Sequence, residues 1–368
     1  MNMIKMLIVP VIFFSVTSGI AAIGDVQRLK RIGSKVVIVY FLMTVIACIV
    51  GIVMVNITHP GVGFTLDNMQ AFDTSKVKTP SFVNFLFDMV PVNIVDSMAK
   101  NQIMQMIFFT VLVGVALVSL GEKVAGVTKI FDQCASIIYK MLDIVMLYSP
   151  IGVLALMANT TAVFGPKLFG VLAKFVFTDW VGCLLIWFFF SGIVWLYTKV
   201  NYLEMCKSMI PIWVNTIATN SSAGTIPITL NVTTERLKVP MSIASFSIPL
   251  GATINLTGAA LYKTILAFFV AEIYGLQLTI DQILMVIIIS TIMSIAAPGI
   301  PGGGIVTGAI FLNLLGLPMD LMGPIAGMYR LIDMSHTTVN VSGDVLGTML
   351  VAKNENIWTG EDFNKTLV

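Results

Sequence analysis

The sequence predicts an all-α polytopic membrane protein in which two helical hairpins enter the membrane without crossing it. Three observations carry that prediction. Of 368 residues, 57% are hydrophobic and 11% charged, with a mean hydropathy of +0.95, whereas soluble domains run near about 25% charged. Apolar runs recur at close to the ~20 residues that a helix needs to cross a bilayer. Two late segments, Ala223-Gly-Thr-Ile-Pro227 and Ala297-Pro-Gly-Ile-Pro301, break their apolar flanks in the same way. Such breaks are tolerated at membrane depth only where backbone is buried in protein or lines a cavity.

In chain order, residues 4–23 form the first expected span. Lys5, the apolar run and the small Gly-Ile-Ala-Ala tail also resemble a signal peptide, but the run extends to Ile23 and a basic cluster follows it, which favours a membrane helix. Further spans are expected at 36–55, 103–120, 137–157 and 171–197. The pattern then changes to hairpins at 203–234 and 280–315, long helices at 240–270 and 320–352, and a cytoplasmic tail at 353–368.

Basic residues orient the chain. Arg28, Lys30, Arg31 and Lys35, Lys123 and Lys129, Lys199 and Lys207, and Arg236 and Lys238 mark cytoplasmic loops. Loops 271–282 and 316–322 hold Glu272, Asp281 and Asp320 without Lys or Arg, and so belong outside. The two hairpins therefore enter from opposite faces, and paired Gly/Pro-interrupted segments are the sequence mark of a transporter site.

Composition also excludes. A net charge of +2, dispersed along the chain, gives no nucleic-acid surface. Cys48, Cys134, Cys183 and Cys206 lie far apart and read as small apolar residues. His59 and His336 are the two histidines, so no zinc constellation forms.

The expected site lies on the last long helix. At ~100° per residue, Asp333, Thr337, Asn340 and Asp344 share one stripe, with Arg330 and His336 flanking it. A carboxylate at bilayer depth costs about 2.5–3.5 kcal/mol on insertion scales, so such residues default to function. A dehydrated cation needs oxygen ligands, which Asn340 and Asp344 provide, joined by Thr253 and Asn255 from the interrupted run Gly251-Ala-Thr-Ile-Asn-Leu-Thr-Gly258. Interhelical hydrogen bonding is the competing role for Asn255 and Asn340. Ser221 and Ser222 at the first hairpin tip offer backbone N–H groups to a carboxylate.

At these motifs the chain resembles the dicarboxylate/amino acid:cation symporter family, the glutamate-transporter fold with inverted repeats. The likeness runs through Lys5-Met-Leu-Ile-Val-Pro10, Tyr148-Ser-Pro-Ile-Gly152, Ser221-Ser-Ala-Gly-Thr-Ile-Pro227, Pro249-Leu-Gly-Ala-Thr-Ile-Asn255, Gly299-Ile-Pro-Gly-Gly303 and Val339-Asn-Val-Ser-Gly-Asp344. The first motif matches the family's second helix, so the first family helix is expected to be missing. The resemblance implies a homotrimer in the cell membrane, each protomer having a scaffold and an elevator-like transport domain. Residues 1–100 are then mostly scaffold, 101–202 hold the remaining scaffold and transport helices, and the hairpin around 297–304 is the gate.

The resemblance also implies roles. Asp333 takes a substrate ammonium, Asn340 its α-carboxylate, Ser222 and Gly299 give hairpin-tip contacts, and Thr337 lines the pocket. Gly251, Asn255, Asn340 and Asp344 form one sodium site. Thr253, Ser294, Ile295 and Ala297 form a second, largely of backbone. Sodium is the expected coupling ion, with a proton the alternative.

Departures from the family pattern set the selectivity expectation. His336 stands for an arginine and Ala259 for a threonine that contact the distal end of acidic substrates; imidazole lacks the guanidinium fork. A neutral amino acid is therefore favoured over an acidic one. Thr257 replaces a sodium-binding aspartate, and Phe41 and Val45 stand for a tyrosine and a serine, so a third sodium site is expected to be absent. Arg330 is additional, either a cavity cation or a structural partner of Asp333 or of a carbonyl. Lys263 is expected to snorkel or to serve structure. The competing readings are a proton-coupled dicarboxylate or glutamate symporter, a channel-like anion pathway, and an intramembrane aspartyl protease. The protease requires two carboxylates from separate helices to share a proton, whereas Asp333 and Asp344 lie on one helix about 16 Å apart.

Overall fold

A computed structural model describes residues 6–21, 32–63, 87, 89–100, 102–148, 151–152, 154–155, 158, 162, 165, 167–295 and 302–365. All regular structure among them is helical. The first span comprises α1 (Ile8–Val11), a π turn (Ile12–Val16) and α2 (Thr17–Ala21). Then come α3 (Ser34–Thr58), α4 (Ile94–Ala99), α5 (Ile103–Leu120), α6 (Ala125–Leu147) and α7 (Lys167–Thr198). The expected span at 137–157 thus begins earlier, joined to α5 by a tight turn at Gly121–Val124.

Hairpin 1 is α8 (Tyr202–Thr219) and α9 (Ser222–Asn231). Its tip is Asn220 and Ser221; the stretch 223–227, expected to be the turn, is instead helical and forms the first half of α9. Asn220 ends α8 in the left-handed region at φ 53°, and the Ser221 hydroxyl starts α9 by accepting from Gly224 N at 3.0 Å. The interrupted helix is α10 (Met241–Ile254) and α11 (Thr257–Ile273), broken at Asn255 and Leu256. Hairpin 2 is α12 (Ile280–Ile295) and α13 (Gly303–Leu314); α14 (Met322–Asn354) carries the polar stripe, and α15 (Gly360–Asn364) closes the described chain. The tip residues 296–301 lie outside the described residues.

Among the described residues, four helical stretches are long and apolar enough to cross a membrane: Ser34–Thr58, Gln105–Ile138, Lys167–Thr198 and Met241–Ile273. Their outward faces stay apolar; α7 exposes Leu184, Leu185, Phe188 and Phe189 while burying Phe175, Asp179, Cys183 and Ile186. A helix apolar all round belongs in lipid or in a core.

The helices sort into two packed groups. The first span packs with α5 and α6; α3 packs with α7, α10, α11, α12 and α14, α7 with α3, α11 and α14, and hairpin 1 with α10 and α14, and the groups meet where α2 lies against α10. This places α3 beside α11 and α14, the helices of the site. The reason is its inner face: Tyr40, Met43, Ala47 and Met54 are buried, and Gly51 lets α3 approach Thr264 of α11 to a distance that a Cβ would reduce to 3.1 Å.

The segment expected to be a plain tail folds back. Trp358 and Phe363 are buried, Trp358 Nε1 donates to the Leu237 carbonyl at 3.1 Å, and Asn364 Nδ2 donates to the Lys199 carbonyl at 3.0 Å. Two aromatic side chains make this segment part of the core.

Candidate functional site

The break between α10 and α11 exposes backbone to α14, and the asparagines occupy it. Asn340 Oδ1 accepts from Gly258 N at 2.7 Å; Asn255 Nδ2 donates to Asp344 Oδ1 at 2.9 Å, and Asn255 Oδ1 accepts from the Thr257 hydroxyl at 2.8 Å. Close approach depends on glycine. A Cβ on Gly258 would lie 2.6 Å from His336 Cα, and one on Gly343 would lie 2.9 Å from Asn255 Nδ2. Both asparagines thus make the interhelical bonds weighed against the cation role, and they bring Asp344 into the same cluster.

Asp344 is fully buried, and among the described residues its carboxylate accepts from the Asn255 amide. A Cβ on Gly251 would collide with its carboxylate, so the glycine leaves a cradle there. One buried carboxylate with amide and backbone oxygens nearby suits a monovalent cation, whose charge would answer that of Asp344. Gly251, Asn255, Asn340 and Asp344 are therefore gathered as expected of the first cation site.

Phe41 and Val45, the α3 residues expected to leave a third cation site incomplete, do not lie on the fully buried face of α3. Phe41 is exposed and Val45 is only half-buried, whereas Tyr40 and Thr44, one residue earlier, are fully buried. The Tyr40 hydroxyl lies 3.1 Å from the Ser247 carbonyl and 3.2 Å from that of Asp344. A tyrosine hydroxyl from α3 therefore reaches the Asp344 corner.

Asp333 sits at the other end of the stripe. Its carboxylate accepts from Gly302 N at 3.0 Å and from the Tyr329 hydroxyl at 3.4 Å, tying α14 to the start of α13. Gly302 takes φ 75°, a conformation that favours glycine. Gly299 and Ala297 fall outside the described residues. Ser222 is buried at the first turn of α9, and Thr337 is buried on α14. Arg330 is exposed, and its Nη2 donates to the Ala218 carbonyl at 3.2 Å, while its own carbonyl accepts from Asn220 Nδ2 at 3.0 Å. Among the structural partners expected for Arg330, a carbonyl receives its hydrogen bond.

His336 is 1% exposed and turns to Asp179 of α7, both carboxylate oxygens lying 2.9 Å from Nε2. The Ser335 hydroxyl adds a bond to the same carboxylate at 3.2 Å. Rings of Tyr262 and Tyr329 pack on the imidazole, with centroids at 5.4 and 6.2 Å. Asp179 went unnoticed in the sequence, yet the signal was there: a carboxylate in the middle of the apolar run 171–197.

Around the second expected cation site, Thr253 turns its hydroxyl to the Leu250 carbonyl at 2.7 Å. Ser294 accepts from Lys263 Nζ at 3.0 Å, and Ile295 is the last residue of α12. Lys263 does not snorkel. It is fully buried, and its amine also donates to the Ala259 carbonyl at 3.2 Å.

Residues 1–354 match the sequence profile of the Sodium:dicarboxylate symporter family. A Proton/glutamate-aspartate symporter of Escherichia coli (strain K12) is 32% identical over 365 residues, covering 96% of this chain and 83% of that protein. A C4-dicarboxylate transport protein of Bacillus subtilis (strain 168) is 31% identical over 364 residues, covering 96% and 86%. A Proton/sodium-glutamate symport protein of Geobacillus stearothermophilus is 30% identical over 368 residues, covering 98% and 86%. With hairpins, interrupted helix and polar stripe in one chain, the protein belongs to the Sodium:dicarboxylate symporter family and is a multi-pass membrane transporter, not an enzyme.

Proposed function

We propose that the protein imports an amino acid or related small carboxylate across the cell membrane, driven by cations, with sodium the coupling ion and a neutral amino acid the favoured substrate. The observation that carries this reading is the cluster of Gly251, Asn255, Asn340 and Asp344 beside Asp333 on one helix. Asp344 supplies the charge that a cation needs, and Asp333 supplies the charge that an ammonium needs. Asn340 and the Ser222 end of hairpin 1 receive the α-carboxylate. When bound, sodium would supply the charge that allows Asp344 to remain ionised at this depth.

The neutral preference rests on His336. Its ring is answered by Asp179 from behind, so the imidazole brings no surplus positive charge for a distal carboxylate. Ala259 adds no hydroxyl. Asp333 latched to Gly302 supports hairpin 2 as the gate, and the separation of the two helix groups supports a transport body moving against a scaffold in a homotrimer.

A proton-coupled glutamate or dicarboxylate symporter is the second reading. It is favoured by the names of the three relatives and by Arg330, a guanidinium held at the hairpin 1 tip. Uptake of a labelled amino-acid and dicarboxylate panel into proteoliposomes separates the two. Neutral amino acids should lead under a sodium gradient; aspartate or succinate leading under a proton gradient alone would replace the first reading by the second.

A further inference from the structure

Two histidines far apart in the sequence make no zinc motif, yet the fold brings His336 to two further ligands on α7. Asp179 and Cys183 are four residues, about one turn, apart on that helix, and so share a face. The Asp179 carboxylate, the Cys183 thiol and the His336 imidazole each place a donor atom within 4.8 Å of the other two. All three residues are buried, at 0%, 4% and 1% exposure, and Cys183 is a free thiol. Among the described residues no other three His, Cys, Asp or Glu side chains are gathered so closely.

Carboxylate, thiolate and imidazole are the donors of zinc sites, and a thiolate selects zinc over magnesium or calcium. Bond lengths of about 2.0–2.3 Å in a tetrahedron set donors about 3.3–3.8 Å apart. The 2.9 Å between Nε2 and the Asp179 oxygens is shorter than that, so an ion enters by parting the pair by about 1 Å or less. Among the described residues His336 Nδ1 has no hydrogen-bond partner, so the Asp179 contact is the one hydrogen bond of the ring that has to yield. The Ser335 hydroxyl, 3.2 Å from Asp179 Oδ2, steadies the carboxylate as the outer partners of metal ligands do. A divalent ion that displaces the thiol proton leaves ion, thiolate and carboxylate with no net charge, which suits a place without water.

We propose that Asp179, Cys183 and His336 bind one thiophilic divalent cation of the zinc class, which staples α7 to α14. The two helices belong to one packed group, so the ion stays with them and is not transported. Asp344 lies eight residues further along α14, about 12 Å away, and its cation is a separate one. The inference is independent of the coupling ion and substrate proposed above.

The test uses purified protein without a histidine tag, treated with chelator and then titrated with cobalt(II) or zinc. Wild type is compared with Cys183→Ala, Cys183→Ser and, as a control at a cysteine outside the cluster, Cys134→Ala. In wild type and Cys134→Ala, cobalt should give a thiolate-to-metal charge-transfer band that saturates at one ion per chain and that zinc abolishes. Zinc should also raise their unfolding midpoint. Both Cys183 variants should lose the band, bind zinc about 100-fold or more weakly, and gain no thermal protection from it. Absence of saturable cobalt and zinc binding by wild type would overturn the proposal and leave Asp179 and His336 as a hydrogen-bonded pair alone. So would a band or a zinc affinity that survives in either Cys183 variant, since the metal then lies elsewhere. The wild-type stoichiometry is read without any substitution, so the first of these outcomes decides even where a variant does not fold.

Discussion

Asp179 of α7 holds His336 of α14, with both carboxylate oxygens 2.9 Å from Nε2 and neither residue exposed to solvent by more than 1%. Removing one member of such a pair leaves the other buried without its partner, a loss of about 3–5 kcal/mol, whereas replacing both by apolar groups is often close to neutral. Asp179→Leu and His336→Leu should each lower the unfolding midpoint strongly, and the double variant should recover much of the loss. Unfolding followed in detergent for the four proteins gives the coupling; simple additivity would mean that the pair holds nothing.

Gly251 faces Asp344 so closely that a methyl group would enter the carboxylate. Gly251→Ala should raise the sodium concentration for half-maximal uptake by about tenfold or more, equivalent to about 1.4 kcal/mol. Gly192→Ala is the control, since a Cβ there meets nothing within 4 Å. Equal sodium dependence in the two variants would remove Gly251 from the cation site.

The Asp333 carboxylate, latched to Gly302, is the proposed receiver of an ammonium. A hydrogen bond to a charged group contributes about 1.5–3 kcal/mol, so Asp333→Asn should raise the KM for amino acids by about 10- to 150-fold. Dicarboxylates, which carry no ammonium, should be spared. A uniform loss across both substrate classes would instead place Asp333 in the gate contact alone.

Trp358 is buried with its indole N–H on the Leu237 carbonyl. Trp358→Ala should cost about 3–5 kcal/mol of stability and leave substrate KM unchanged where the protein remains folded. Thermal unfolding and uptake on the same preparation check both halves.

Much of this architecture is legible in the sequence, because lipid demands helices and because the break at Asn255–Leu256 sits in a run of Gly, Asn and Thr; the first hairpin's turn, expected at 223–227, lies a few residues earlier at Asn220–Ser221. Asp333, Asn340 and Asp344 are readable because polar residues at helical spacing stand out in an apolar chain. What is lost is register where everything is apolar. Around Tyr40 and Phe41 the helix is hydrophobic on all sides, so periodicity does not say which ring faces inward; packing against α11 decides it. The role of Lys263 is hidden for a related reason, because a long side chain in a membrane helix can leave for the interface, and only the Ser294 contact shows that it stays. Asp179 is a different case: its cost at that depth is visible in the sequence, but its partner lies 157 residues away.

In the proposed cycle a cation held at Asp344 drives uptake. The most direct measurement is concentrative uptake into proteoliposomes under an imposed inward sodium gradient, for wild type and Asp344→Asn at matched protein density. The gradient should accelerate wild-type uptake several-fold over equal sodium on both sides, and Asp344→Asn should lose that acceleration while still exchanging substrate. Wild-type uptake indifferent to the sodium gradient, or an Asp344→Asn variant that keeps the full acceleration, would contradict it.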